Sequence, residues 1–424
     1  MKKFLAMLLA LVMALSLVAC GEKKDDTQGN GDGDATAAKV GFITLHDENS
    51  TYDKNFIDAA KEACANLGLV ENEDYFIKTN VGETEQCADV AADLVDAGCN
   101  IIFADSFGHE PYMIEVAKAN PEVQFCHSTG TLAHTENLAN YHNAFASIYE
   151  GRYLAGIAAG MKLNAMIEAG DIKAEEAKMG YVGAFTYAEV VSGYTSFYLG
   201  AKSVCPTVTM DVTFTGSWYD ETLEKEGAVK LIQGGCKLIS QHADSLGAPT
   251  ACEKAGVPNV SYNGSTVSTC PNTYIISSRI NWAPYYEMCI KAVMDGTEIP
   301  ADWTGTLATN SVVLSDLNTA VAAEGTAEAI AAATEKLEKG ELHVFDCSTF
   351  TTKVDDKVNT FKADYLKLDE AGHITSYMAD VDTDQAYTGD TEVVHDGYFS
   401  ESEFRSAPYF DLQIDGINLL DTKM

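Results

Sequence analysis

Between residues 39 and 278 the apolar positions switch repeatedly between two periods. KVGFITL (39–45) is a short apolar run and predicts a buried strand, whereas DKNFIDAAKEACANLG (53–68) has helical spacing and stops at Gly68. The alternation continues with a strand at DYFIKTNV (74–81) and a helix at TEQCADVAADLVDAG (84–98), closed by Gly98. NIIFADS (100–106), PYMIEVAKANP (111–121) and VQFCHST (123–129) predict strand, helix and strand. EGRYLAGIAAGMKL follows as a helix rich enough in small residues to pack closely. A second series runs from KMGYVGAF (178–185) through a helix near 190–203, VTMDVTF (208–214), the helix ETLEKEGAVKLIQGG (221–235) and KLISQHAD (237–244). It ends with a helix near 247–256, PNVSYN (258–263) and TYIISS (273–278). Strands alternating with helices build parallel sheets covered on both faces, so the fold class is α/β. Two such series predict two lobes.

In open α/β sheets a ligand crevice lies at the carboxyl ends of the strands. Those ends read HDENSTYD (46–53), DSFGHE (105–110), HSTG (127–130), FTYAE (185–189), GSWYD (216–220), QHADS (241–245) and YNG (262–264). Aromatic, acidic and small polar residues gather there, while the helix bodies are bland. Each residue alone has a structural explanation: His127 or His242 reads as a satisfied core histidine, and Phe107 or Trp218 as a cap on the core. Seven coincident strand ends favour a cleft between the lobes.

The first twenty residues, MKKFLAMLLALVMALSLVAC, have two lysines and then an apolar run too short for a stable span. This is an export signal, and LVAC resembles the lipobox of bacterial lipoproteins, which makes Cys20 the expected lipid anchor. GEKKDDTQGNGDGDATAA (21–38) is polar and Gly/Asp-rich, a tether reaching roughly 20–25 Å as a coil. The expected organisation is then a first lobe at 39–150, a hinge helix and second lobe at 151–280, and a return to the first lobe at 281–349. An acidic, β-rich insertion and closing segment fill 350–424. The formal net charge of −35, or −37 once Lys2 and Lys3 are removed, excludes nucleic acid and anionic lipid headgroups as partners. Ten cysteines remain after Cys20, none in a C-x-x-C pair, and most sit in apolar contexts that predict free buried thiols.

Enzymatic motifs do not emerge. No Gly-x-Ser-x-Gly elbow frames Ser217 or Ser245, and there is no phosphate loop. DVDTD (380–384) begins like a calcium loop, but Gln385 stands where the glycine belongs. No metal, cofactor or catalytic residue is expected.

IIFADSFGHEP, VQFCHSTG, ENLANYHNAFASIYEGRYLAGIAAGMK, GSWYDETLEKEGAVKLIQGG, LISQHADS, VSYNGS and SSRINWAPYYEMCIKAV together resemble the basic membrane protein family over about residues 39–350. Its members are lipid-anchored substrate-binding proteins of ABC importers, similar to purine nucleoside receptors. The resemblance implies a two-lobed type I periplasmic-binding-protein fold, a purine nucleoside or base as ligand, and a permease as partner. It also implies a monomer on the outer face of the cell membrane. Matching blocks place Asp47, Tyr52, Asp53, Phe107, His127, Phe185, Trp218, Asp220, His242, Asp244, Asn263 and Trp282 at the ligand. Tyr52, Phe107 and Trp218 would form walls, with Asp220, Asp244 and Asn263 on the polar edge. A secreted hydrolase or a sensor for another small aromatic solute is the alternative.

Overall fold

The computed structural model describes residues 37–382, 384 and 388–423, so the export signal, Cys20 and nearly all of the tether lie outside it. Strands β1 (Val40–Ile43), β2 (Tyr75–Lys78), β3 (Ile101–Ala104), β4 (Gln124–Ser128) and β5 (Tyr141–Ala146) alternate with helices Thr51–Asn66, Glu85–Asp96 and Glu110–Ala119. Helix Ile148–Ala169 carries the chain into the second lobe. There β6 (Lys178–Gly183), β7 (Thr209–Phe214), β8 (Leu238–His242), β9 (Asn259–Tyr262) and β10 (Tyr274–Ile280) alternate with helices Ala188–Val204, Glu221–Gln233 and Gly247–Ala255. Helix Ala283–Asp295 and β11 (Asp302–Gly305) return to the first lobe, and β12 (Val312–Leu314) crosses back. Beyond helix Thr326–Glu338 come β13 (Leu366–Leu368), β14 (Ile374–Ala379), β15 (Thr391–Glu392), β16 (Val394–His395), β17 (Tyr398–Phe399) and β18 (Ile417–Leu419).

The first sheet has the order β11-β5-β4-β3-β1-β2 and every pairing in it is parallel. The second has the order β12-β10-β9-β8-β6-β7-β18, parallel except where β12 meets β10. In register, Ile43 lies beside Ala104 and Ala104 beside His127, while Gly183 lies beside both Phe214 and His242. The strand ends of each lobe therefore finish level, which brings loops distant in sequence to one edge.

Small residues make helix packing in the second lobe tight. A Cβ at Gly156 would come within 2.1 Å of the Phe197 carbonyl oxygen, and one at Gly200 within 2.0 Å of that of Tyr153. Helices Ile148–Ala169 and Ala188–Val204 thus touch backbone to backbone, as the small-residue pattern predicts. Arg152, fully buried on the first of these, pairs with no carboxylate among the described residues. Its guanidinium donates to Ser240 Oγ (2.9 Å) and Tyr181 Oη (3.0 Å) and lies 4.9 Å from the centre of the Phe197 ring. All ten cysteines from Cys64 to Cys347 are free and buried.

Two boundaries need correction. The segment 281–349 returns to the first lobe only in part, because β12 joins the second sheet and Ala329, Ile330 and Ala333 pack on the second-lobe core. The β-rich stretch after 350 is part of the second-lobe core rather than a separate insertion. Its alternating apolar residues Leu366, Ile374, Tyr377 and Phe399 are buried in the same cluster as Tyr181, Tyr194 and Phe197. It also reaches the first lobe, where the Ser406 amide donates to Asp302 Oδ2 at 2.8 Å.

Candidate ligand site between the lobes

Where the two sets of strand ends face each other, a narrow cavity is lined by Leu45, Tyr52, Asp53, Ser106, Phe107, Thr129, Glu189, Trp218, His242 and Asp244. Leu45, Ser106, Phe107 and Thr129 follow β1, β3 and β4, and Tyr52 and Asp53 stand in the first turn of helix Thr51–Asn66; the rest belong to the second lobe.

On the first-lobe side Asp53 is held from several directions. The His46 amide donates to Oδ1 at 2.7 Å, Ser50 Oγ donates to Oδ2 at 2.6 Å, and His46 Nδ1 lies 3.4 Å from Oδ2. Burial alone would raise its pKa, but these hydrogen bonds outweigh it and the carboxyl sits below the usual range. Asp105 behaves oppositely. Burial, followed by the charge of Asp53 beside it, pushes its carboxyl well above the usual value. Its Oδ1 accepts from the Leu45 amide at 3.1 Å, whereas Oδ2 is buried with no hydrogen-bond partner among the described residues. The two carboxyls are thus shifted in opposite directions, Asp53 toward its charged form at the cavity and Asp105 toward its protonated form behind it. Tyr52 donates to the Asp105 carbonyl at 2.7 Å, which fixes its ring as a wall. Thr129 adopts φ 71°, an outlier for a β-branched residue, and its hydroxyl is also buried without a partner among the described residues.

The second-lobe side supplies the larger aromatic face. Phe185 and Tyr187 stack at 5.0 Å, and Trp218 meets Phe185 edge to face at 5.1 Å. His242 is buried, which lowers its pKa, and its Nε2 lies 3.2 Å from Glu189 Oε1. Burial, and then the charges of Asp53, Glu224 and Glu189, raise the Asp244 carboxyl well above its usual value. Asp244 also ties the halves together. Its amide donates to the Trp218 carbonyl at 2.9 Å, and its carbonyl accepts from Thr51 N (3.0 Å) and Thr51 Oγ1 (3.1 Å) across the cleft. Phe107 reaches across to Tyr187 at 5.5 Å, and His46 to Tyr219 at 5.4 Å. The lobes are closed on one another.

Of the twelve residues expected at the ligand, Tyr52, Asp53, Phe107, Trp218, His242 and Asp244 line the cavity, and Phe185 backs Trp218. His127 is buried just behind it, with Nε2 2.7 Å from the Ser106 carbonyl. The other four are elsewhere. Trp282 is first-lobe core, 1% exposed and stacked on Phe56 at 4.7 Å, because the helix it opens packs inward. Asp220 caps helix Glu221–Gln233, its Oδ1 accepting from Thr222 N and Leu223 N at 3.0 and 2.9 Å. Asp47 closes a turn by accepting from Asn49 N and Nδ2 at 3.0 and 2.8 Å. Asn263 lies in a separate crevice with Arg279 and Asn281. Asp105, Ser106, Thr129, Tyr187 and Glu189 were missed as individuals, although the strand-end segments DSFGHE, HSTG and FTYAE contain them. Asp382, in the stretch resembling a calcium loop, instead makes a buried ion pair with Arg405.

Residues 41–346 match the family model of PnrA-like ABC transporter substrate-binding proteins, named Bmp. The chain belongs to this family. It is a substrate-binding protein of ABC transport, not an enzyme, and its family works outside the cytoplasm. A purine-binding protein of Brucella abortus is 33% identical over 262 residues, 61% of this chain and 69% of the relative. A putative ABC transporter glucose-binding protein of Haloferax volcanii is also 33% identical, over 61% of this chain and 62% of its own length. The nucleoside-binding protein BmpA of Lactococcus lactis is 25% identical over 58% of this chain and 67% of its own. Among solved structures, a solute-binding protein of Aeropyrum pernix superposes with a TM-score of 0.63 at 18% identity, covering 77% of this chain and 96% of that one. That likeness carries the two-lobed fold. No helix among the described residues is long and apolar enough to cross a membrane.

Proposed function

We propose that the protein captures a purine base or nucleoside between its lobes and hands it to an ABC importer, while a lipid on Cys20 keeps it at the outer face of the membrane. One observation carries the reading of the ligand: a cavity walled by Tyr52, Phe107 and Trp218 whose charged groups are all carboxyls, with no lysine or arginine lining it among the described residues. A purine is flat and apolar on its faces and bears hydrogen-bond donors and acceptors on its edge, which suits such walls and the polar groups of Asp53, Ser106, Thr129 and Glu189 between them. Phosphorylated ligands find no counter-charge there. The purine-binding and nucleoside-binding relatives support the same reading.

The glucose-binding name of the Haloferax relative favours a second reading, since carboxylates also accept from sugar hydroxyls and an aromatic ring stacks on a pyranose. Mass spectrometry of small molecules released from denatured protein, followed by calorimetric titration with purine bases, their nucleosides, a nucleoside monophosphate and glucose, separates the two. Binding of a base or nucleoside but not the monophosphate is expected. Glucose binding with no purine response would overturn the proposal.

A further inference from the structure

The aromatic wall formed by Phe185, Tyr187 and Trp218 stands on two loops, one after β6 and one after β7. Neither loop is long, yet both are gripped by a segment of chain far away in sequence and beyond the matched family region, which ends at residue 346. Strand β18 pairs in parallel with β7, and the chain then runs on past the loops. The Leu420 amide donates to the Val212 carbonyl at 2.8 Å. Asp421 takes the Phe214 amide on Oδ1 and the Thr213 hydroxyl on Oδ2, both at 2.7 Å, with Lys230 Nζ 3.1 Å from Oδ2. Hydrogen bonds from these groups outweigh the effect of burial and lower its pKa, so it grips them as a carboxylate.

Two residues further, Lys423 meets Thr186, which stands between Phe185 and Tyr187. The Thr186 amide donates to the Lys423 carbonyl at 2.7 Å, and the Lys423 amide donates to Thr186 Oγ1 at 2.9 Å. The Lys423 side-chain stem covers Gly216, which holds φ 78° at the start of GSWYD. One strand end therefore clamps both loops of the wall at once. We infer that Asp421 and the Thr186–Lys423 pair are positioning elements of the ligand site, which fix the Phe185–Tyr187–Trp218 wall for stacking without touching the ligand. This rests on the cavity being the ligand site, but the position of the wall can be read without any ligand.

Labelling with 5-fluorotryptophan gives one ¹⁹F resonance for each of the three tryptophans, and Trp218→Phe identifies its own. Thr186→Val and Asp421→Ala should each shift or broaden the Trp218 resonance and leave those of Trp282 and Trp303 in place. Thr186→Ser, which keeps the hydroxyl acceptor, should resemble the wild type. In titrations with guanine and guanosine as probes, Thr186→Val should weaken binding by roughly threefold to tenfold, the scale of one net hydrogen bond, with Thr186→Ser restoring it. A Trp218 resonance unmoved in both variants would overturn the inference, as would equal loss of binding and apo melting temperature in Thr186→Val and Thr186→Ser. If the wild type binds neither probe while the resonance moves as expected, the purine reading fails and the clamp stands.

Discussion

Trp218 and Trp282 are the same residue type next to similar loops, and the structure assigns them opposite fates. Truncating each to alanine therefore separates a ligand wall from a core residue within one molecule. Trp218 is half-buried at the cavity, with Phe185 at 5.1 Å and Tyr187 at 6.1 Å. Its loss removes a stacking face, worth about 1–3 kcal/mol by analogy with base–aromatic stacking. At about 1.4 kcal/mol per decade, affinity for the proposed purine ligand should fall by roughly one to two decades. The apo protein loses only ring contacts of about 0.5–1.5 kcal/mol each, and no sealed void is created, because the site opens to the cavity. The Trp218 carbonyl still accepts from the Asp244 amide, since that bond belongs to the backbone. Trp282→Ala instead empties a closed space between Phe56, Phe145 and Tyr285, and should cost about 3–5 kcal/mol of stability. The unfolding entropy of a body this large makes each kcal/mol worth about 1 °C. The expected pattern is thus a fall in apo melting temperature of about 3–5 °C for Trp282→Ala and a much smaller one for Trp218→Ala. Calorimetric affinity and apo scanning calorimetry on both variants check it. Trp218→Ala with intact affinity and a melting temperature as low as that of Trp282→Ala would refute the reasoning.

Three further perturbations test other parts of the site. Thr51 is the first residue of its helix, where proline is tolerated, and Ser50 before it is already extended at ψ 130°. Thr51→Pro should therefore keep the helix yet delete both hydrogen bonds to the Asp244 carbonyl, giving a larger apo radius of gyration by small-angle scattering and weaker purine binding; an unchanged radius would mean that these bonds do not latch the lobes. The raised pKa of Asp105 means that the folded state holds its proton more tightly than the unfolded chain, so its contribution to stability is lost as pH rises above about 4. Asp105→Asn should then raise the apo melting temperature at pH 7.5 and leave it nearly unchanged at pH 4, and an equal effect at both would contradict the assignment. Cys20→Ala should abolish metabolic labelling with a fatty acid and release the protein or trap its precursor; label retained in that variant would rule out Cys20 as the anchor.

Much of the architecture was legible because it follows from local rules. Apolar periods of two and 3.6 residues, ended by glycine, gave strands and helices within a few residues of β1 to β4, β6 to β10 and the helices between them. The exception was β5, YHNAFA. Its His142 and Asn143 look like loop residues, and they are buried only because Pro300, Gln124 and Ala133, on other elements of the fold, satisfy them. The insertion was recognised as β-rich, but periodicity alone could not show that its apolar residues complete the second-lobe core.

The candidate site divides along the same line. Sequence alone located its neighbourhood, since an α/β alternation puts ligand loops at strand ends and aromatic and acidic residues crowd there. Local chemistry could even have set Asp220 aside, as an aspartate directly before a helical run is an ordinary cap. Which tryptophan faces the cavity depends on how helix Ala283–Asp295 turns Trp282 onto Phe56. Which carboxyl keeps its proton depends on Asp53 and Asp105 meeting across 52 residues of chain. Side-chain identity and spacing determined the elements and the edge on which ligand chemistry gathers. Burial, pairing and direction are set by neighbours brought together only in the folded state, so the tertiary structure alone decided which of those residues share the cavity.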